Sequence, residues 1–78
     1  MDAKTTARGR PAAARRLSRN LEKFLAERRL GPDDVAELTG TITAQTVRNC
    51  LHGTYKPTLR TLEALAQGLG VEISELLA

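Results

Sequence analysis

The sequence is poor in cysteine, histidine and aromatic residues, with one Cys, one His, one Phe, one Tyr and no Trp among 78 residues. The single Cys50 cannot form an intramolecular disulfide, and no His/Cys cluster has metal-ligand spacing, so we expect no disulfide, metal or other cofactor. We expect Cys50 to be a small core residue rather than a reactive thiol. Without a credible pair of general base and nucleophile, the chain is not expected to be an enzyme.

Long apolar runs are also missing. No segment approaches the roughly 20 apolar residues that cross a membrane, and the basic N-terminus lacks the apolar segment of a signal peptide. A chain of this length has room for one small core without metals or disulfides. We therefore expect a single soluble domain, cytoplasmic and nucleoid-associated, with no membrane partner.

Positive charge is concentrated in the first part of the chain. Residues 1–29 hold nine Lys/Arg against three Asp/Glu, whereas residues 30–78 hold three against six. This asymmetry favours a polyanionic partner, and nucleic acid fits better than a membrane because no apolar or aromatic anchor accompanies the charge. The alternative is a solvated tail that only aids solubility.

Residues 1–11 lack apolar periodicity and are predicted to form a flexible basic N-terminal arm. They include Arg8-Gly9-Arg10-Pro11, which is similar to the core of an AT-hook, an extended Arg-Gly-Arg in a narrow A·T-rich minor groove. This similarity implies minor-groove contacts by Arg8, Gly9 and Arg10. The alternative is that the arm makes only non-specific phosphate contacts.

Residues 12–78 are predicted to form one all-α domain of five helices, because helical periodicity and cap residues alternate without a strand pattern. The predicted helices run from Pro11 or Ala12 to Arg29, from Pro32 to near Thr39, from the N-cap Thr43 to the C-cap Gly53, from the N-cap Thr58 to Gly68 or Gly70, and from about Glu72 to Leu77. The expected core consists of Leu17, Leu21, Phe24, Leu25, Val35, Ala36, Leu38, Ile42, Leu59, Leu62, Leu65, Ala66 and Leu69.

The segment 43–53 has two contrasting faces when it is drawn as a helix. Val47, Cys50 and Leu51 make an apolar stripe. Amide and guanidinium side chains, which form bidentate hydrogen bonds with base edges in the DNA major groove, lie on the other side. The polar residues of this second face are Gln45, Arg48, Asn49 and His52.

The order of a short helix, a tight turn, a polar helix, a Gly-x-x-x-Pro loop and a Leu-rich helix resembles the helix-turn-helix domain of lambdoid phage repressors and Cro proteins (Xre-like). The resemblance covers about residues 17–77 and implies a compact five-helix repressor/Cro-like DNA-binding domain. The matching motifs are Leu30 to Ala36, Thr43-x-x-Thr46-Val47, Gly53-x-x-x-Pro57 and Leu65-Ala66-x-x-Leu69-Gly70-Val71.

The resemblance also implies which residues contact DNA. Gln45 and Asn49 suit adenine, Arg48 suits guanine or, alternatively, a phosphate, and Ala44 can touch a thymine methyl group. For two of the expected phosphate contacts an alternative stays open: His52 can be merely solvent-exposed, and Tyr55 can pack over Pro57. The expected base contacts are Ala44, Gln45, Arg48 and Asn49, and the expected phosphate contacts are Thr43, Thr46, His52, Tyr55, Lys56 and Arg60.

The chain departs from the family pattern at three places. Gly31-Pro32 replaces the Ser/Thr-Gln that often begins the second helix, which removes a backbone contact to DNA because Pro has no donor. The turn 40–43 is one residue longer than usual, which can alter the angle of the third helix. Leu25 and Leu51 replace a partly buried Arg–Glu pair, and we expect them to touch, since losing only one partner costs about 3–5 kcal/mol.

The sequence thus predicts a sequence-specific regulator of transcription, a repressor by resemblance, that binds double-stranded DNA as a homodimer on two half-sites. The segment 71–78 or the fourth helix would hold the dimer together, unless the closing segment docks into the monomer core. Two other classes stay open. One is a protein-interaction module, such as an antitoxin or phage-encoded adaptor with an unknown partner, and the other is a non-specific DNA-binding protein that relies on its arm.

Overall fold

The computed structural model describes residues 12–53 and 56–78, and the regular secondary structure of these residues is entirely helical, with no strand. The predicted all-α class with five helices is therefore confirmed. Residues 1–11, Thr54 and Tyr55 lie outside the described residues. The helices are α1 (Ala12–Arg28), α2 (Pro32–Thr39), α3 (Ala44–His52), α4 (Leu59–Leu69) and α5 (Ile73–Leu76).

A single apolar core draws on all five helices, with α1 packed on α3 and α5, α2 on α3 and α4, and α4 on α5. Leu25 is buried in this core and Leu51 is half-buried against it, so neither residue of the predicted Leu25–Leu51 contact lies in solvent. The largest fully buried side chains are Leu17, Leu21, Val35, Val47, Cys50, Leu65 and Leu76.

Two residues predicted to lie in the core are exposed. Leu38 is 54% and Leu59 65% exposed. In α2 the inward side is set by Val35, and Leu38 lies on the flank of that side, roughly 60° away by helical geometry. In α4 Leu59 points to the same side as the buried Ala66, but it lies in the first turn, before the buried residues begin at Thr61.

Local chemistry fixes α2 and the turn that follows it. The backbone N–H of Gly31 donates to Asp34 Oδ2 at 2.8 Å, and Pro32 is the first helical residue, as predicted. The helix ends at Gly40, whose φ of 69° is left-handed, and its N–H donates to Ala36 O at 2.9 Å. Ile42 then packs inward against the core, which confirms its predicted place and brings the chain back for α3.

The closing segment packs onto its own chain. Leu76 is completely buried, and the side-chain amide of Asn20 in α1 donates to the carbonyl oxygens of Leu76 and Ala78 at 2.9 and 3.1 Å. Leu77 is half-buried against the same core. Of the alternatives for this segment, docking into the monomer core is thus the arrangement that the structure shows.

Candidate nucleic-acid interface

Helix α3 lies between two helices and has one side free. Its inward residues Val47 and Cys50 are buried, while Gln45 and Arg48 on the opposite face are exposed and Asn49 is half-buried. The two faces expected from the sequence are therefore present. Because α1 and α2 both pack against α3, the polar face is supported from behind and presented outward as one surface.

Two contacts between α1 and the end of α3 fix where this polar face lies. The Ser18 hydroxyl donates to the backbone oxygen of Leu51. Gly53 ends α3 with a left-handed φ of 79°, and a Cβ at this position would lie 3.4 Å from Ser18 Cβ. A side chain at position 53 would make an ordinary contact with α1 but would be strained in its backbone, so a glycine fits this junction best.

The two amide side chains of the exposed face are hydrogen-bonded to each other. Gln45 Nε2 donates to Asn49 Oδ1 at 3.1 Å across one helical turn. This bond leaves Gln45 Oε1 as an acceptor and Asn49 Nδ2 as a donor, side by side. An adenine presents the complementary pair in the major groove, an N6 donor and an N7 acceptor. The two residues form an ordered donor–acceptor unit before any DNA is present.

Arg48 contacts the neighbouring helix. Its Nη2 lies 3.7 Å from Oδ1 of Asp33 in the first turn of α2, and the side chains are 46% and 84% exposed. Asp33 was not predicted as a site residue, because an acidic residue in a first helical turn is already explained by the helix dipole. The contact depends on the angle at which α2 packs against α3, and no local sequence pattern predicts that angle.

The N-terminus of α3 brings together two predicted phosphate contacts. Thr43 Oγ1 accepts a hydrogen bond from the Thr46 backbone N–H at 3.1 Å, which confirms Thr43 as the N-cap. The two hydroxyl oxygens are also 3.1 Å apart. One hydroxyl proton is used between them and the other can be donated outward. The arrangement suits an anion, since the positive end of the helix dipole lies at the same place.

Of the other candidate residues, the structure describes four. Ala44 is half-buried in the first turn of α3, and His52 at its last turn is exposed. Lys56 and Arg60 are exposed, and Arg60 lines the same surface groove as Thr41 of the turn between α2 and α3. Tyr55 and the arm residues Arg8, Gly9 and Arg10 lie outside the described residues.

Cys50 is buried in the core, as predicted, and its burial raises the pKa of the thiol to about 11. The thiol is therefore protonated near neutral pH and suited to packing. In the part of the chain that the structure describes, no group of three or more His, Cys, Asp or Glu residues could hold a metal ion. None of the five helices is long and apolar enough to cross a membrane.

Comparison with protein-family models identifies a Cro/C1-type HTH DNA-binding domain over residues 20–78. Comparisons with curated proteins and with solved structures found no match. The matched range covers three quarters of the chain and contains the second half of α1 and all of α2 to α5. It coincides closely with the range of the predicted resemblance. The chain therefore belongs to the Cro/C1-type helix-turn-helix family of DNA-binding domains.

Proposed function

We propose that this protein is a sequence-specific transcriptional regulator, acting as a repressor that occupies an operator, and that α3 enters the DNA major groove. The observation that carries the proposal is the ordered polar face of α3. Its Gln45–Asn49 amide pair is exposed on a helix whose other side is anchored by Val47 and Cys50. A rigid helix with bidentate side chains is the usual means of direct base recognition in this class of fold.

In the proposed complex the polar face makes the base contacts. Gln45 and Asn49 contact adenine, Arg48 contacts guanine O6 and N7, and the methyl group of Ala44 touches a thymine methyl. Each good bidentate contact discriminates against a wrong base by about 1–3 kcal/mol. Sequence preference should therefore be concentrated in the few base pairs opposite α3.

Phosphate contacts fix the register of α3 in the groove. The proposed residues at the start of α3 are Thr43 and Thr46, where the outward hydroxyl proton and the helix dipole both favour an anion. The other proposed phosphate contacts are His52, Tyr55, Lys56 and Arg60. In the proposal the arm adds contacts in the adjacent minor groove through Arg8, Gly9 and Arg10.

The proposal includes a homodimer on two half-sites, since one recognition helix contacts only a few base pairs. The closing segment packs into its own monomer through Leu76, which makes it a poor dimer contact. The alternative surface on the fourth helix has better support. Leu59, in the first turn of α4, is a large apolar side chain that the monomer leaves 65% exposed.

Selection of bound sequences from a random DNA pool tests this function, with the full chain and with a chain that lacks residues 1–11. A two-fold symmetric motif that survives the truncation supports major-groove recognition by a dimer, and an A·T flank that disappears with the arm supports minor-groove contacts. Binding without any motif, lost with the arm, would contradict sequence-specific recognition and favour a non-specific DNA-binding protein.

The rival function is a protein-interaction module. The observation that favours it is Leu38, which is 54% exposed and lines a surface groove together with the half-buried Leu30. If selection yields no motif, a Leu38→Lys variant tests this alternative directly. Loss of a partner protein that co-purifies with the wild-type chain would support it, and unchanged recovery of that partner would count against this surface.

A further inference from the structure

The ion pair between Asp33 and Arg48 links α2 to the centre of the proposed DNA-binding face. An exposed ion pair of this kind contributes little to folding, because water and salt screen it. Asp33 is also not needed as a cap, since its neighbour Asp34 accepts the hydrogen bond from the Gly31 N–H. We therefore expect the contact to act through its effect on Arg48.

Arg48 has two competing kinds of acceptor on DNA. A guanidinium group can bind the anionic oxygens of a phosphate, which are the same at every position, or the O6 and N7 edge of guanine, which is specific. A carboxylate next to the guanidinium repels a phosphate, which carries a full negative charge, more strongly than it repels the uncharged guanine edge. With five N–H donors, Arg48 can keep one directed at Asp33 and still offer two parallel ones to a base.

We propose that Asp33 is a specificity-determining positioning residue, which holds the Arg48 guanidinium and makes its contact with guanine more favourable than a contact with phosphate. This inference rests on the proposed function, because it assigns a role within the same DNA-binding face. Asp33 thereby lowers affinity for DNA of arbitrary sequence more than it lowers affinity for the operator. The ratio of the two affinities is the quantity that it controls.

The substitution Asp33→Asn tests the inference while keeping the size of the side chain. Affinity is measured by fluorescence anisotropy on the selected site and on unrelated DNA of equal length, at several salt concentrations. We expect affinity for unrelated DNA to rise by about two- to fivefold. For unrelated DNA, the slope of log affinity against log salt concentration should steepen by about 0.9, because one more phosphate is neutralised. The selected site should gain less, so that specificity falls.

Glu37→Gln is the matched control, since it removes the same charge from an exposed position of the same helix. It should raise both affinities by similar factors and leave their ratio unchanged. Arg48→Ala provides the second control. In that background Asp33→Asn should affect both DNAs no more than Glu37→Gln does, because the residue through which Asp33 acts is missing. Circular dichroism of each variant reports whether the fold is retained.

The outcomes separate the two proposals. If Asp33→Asn matches Glu37→Gln on both DNAs, or if its effect on the ratio persists without Arg48, the role of Asp33 is refuted while sequence-specific binding stands. If the wild-type chain itself binds all sequences equally, the proposed function is refuted and the inference falls with it. A selective loss of specificity that requires Arg48 would support both.

Discussion

Helices α3 and α4 are built with the same ends but present different surfaces. Each begins at a threonine whose hydroxyl accepts from a backbone N–H three residues later, at 3.1 Å in α3 and 3.2 Å in α4. Each ends at a glycine with a left-handed φ. Yet six side chains of α4 are buried and only two of α3. Capping chemistry therefore defines a helix here without deciding whether its surface serves the core or a ligand.

The division of roles between the two helices has an energetic consequence. The side chains of α4 are in contact with α2 and α5, so changes there should appear as loss of folding free energy. The outer face of α3 contacts mainly solvent, so changes there should appear as loss of DNA affinity with little change in folding. Substitutions matched between the two helices can measure this separation.

The largest effect is expected from Leu65→Ala in α4. Leu65 is completely buried, and truncating a buried leucine costs about 2–5 kcal/mol through lost transfer free energy and an unfilled cavity. Domains of this size have little stability in excess, so the variant should be largely unfolded or unfold at much lower urea concentration. Urea unfolding followed by circular dichroism measures the change. Gln67→Ala, at an exposed position of the same helix, is the control and should be close to wild type.

The opposite behaviour is expected from Gln45→Ala and Asn49→Ala on α3. Each should lower affinity for the selected DNA site by about 5- to 150-fold, which corresponds to one bidentate base contact. Stability should change by only about 0.2–0.5 kcal/mol, the contribution of a hydrogen bond across one helical turn. Fluorescence anisotropy measures the DNA affinity and urea unfolding measures the free energy of unfolding, with Gln67→Ala again as the control.

The two amides should also act together. Since Gln45 and Asn49 are hydrogen-bonded to each other, the double variant should lose less affinity than the product of the single losses. Strict additivity would indicate that the pair separates on binding and that each amide contacts its base alone. If neither single variant changes the affinity, α3 is not the recognition helix.

The contrast between α3 and α4 also shows which features a sequence reveals. Helix ends depend on neighbouring residues, so Thr43, Gly53 and Thr58 were predicted correctly as caps, and of the two predicted ends of α4, Gly68 or Gly70, the structure shows Gly70. The inward face of α3 was predicted as well, because its apolar residues recur in the sequence with the period of a helix.

Other features depend on how the helices pack, and these escaped prediction. Leu59 was expected in the core and is exposed, because a hydrophobic side chain at the edge of a stripe is buried only if a neighbouring helix covers it. The Asp33–Arg48 contact joins residues of two helices whose relative angle no local pattern encodes. The packing of the helices thus explains both why Leu59 was wrongly expected in the core and why Asp33 was not predicted as a site residue.

The smallest effects are expected at the N-cap threonines, which α3 and α4 both have. Substitutions at these two positions test the comparison between the two helices most directly. Thr43→Ala and Thr58→Ala each remove a hydroxyl that accepts from a backbone N–H. Each should lower the free energy of unfolding by about 1 kcal/mol, the usual loss for an N-cap threonine. The two variants should therefore look alike in urea unfolding.

DNA affinity should separate the two cap variants. The Thr43 hydroxyl lies at the N-terminus of α3 beside Thr46, where we propose that a phosphate binds, so Thr43→Ala should weaken binding by several-fold on all DNA sequences. Thr58→Ala removes an equivalent cap from a helix with a structural role and should bind as the wild type does under conditions where both variants are folded. Equal affinity of the two variants would mean that Thr43 serves only to begin its helix, and that phosphate contacts at this end of α3 come from other residues.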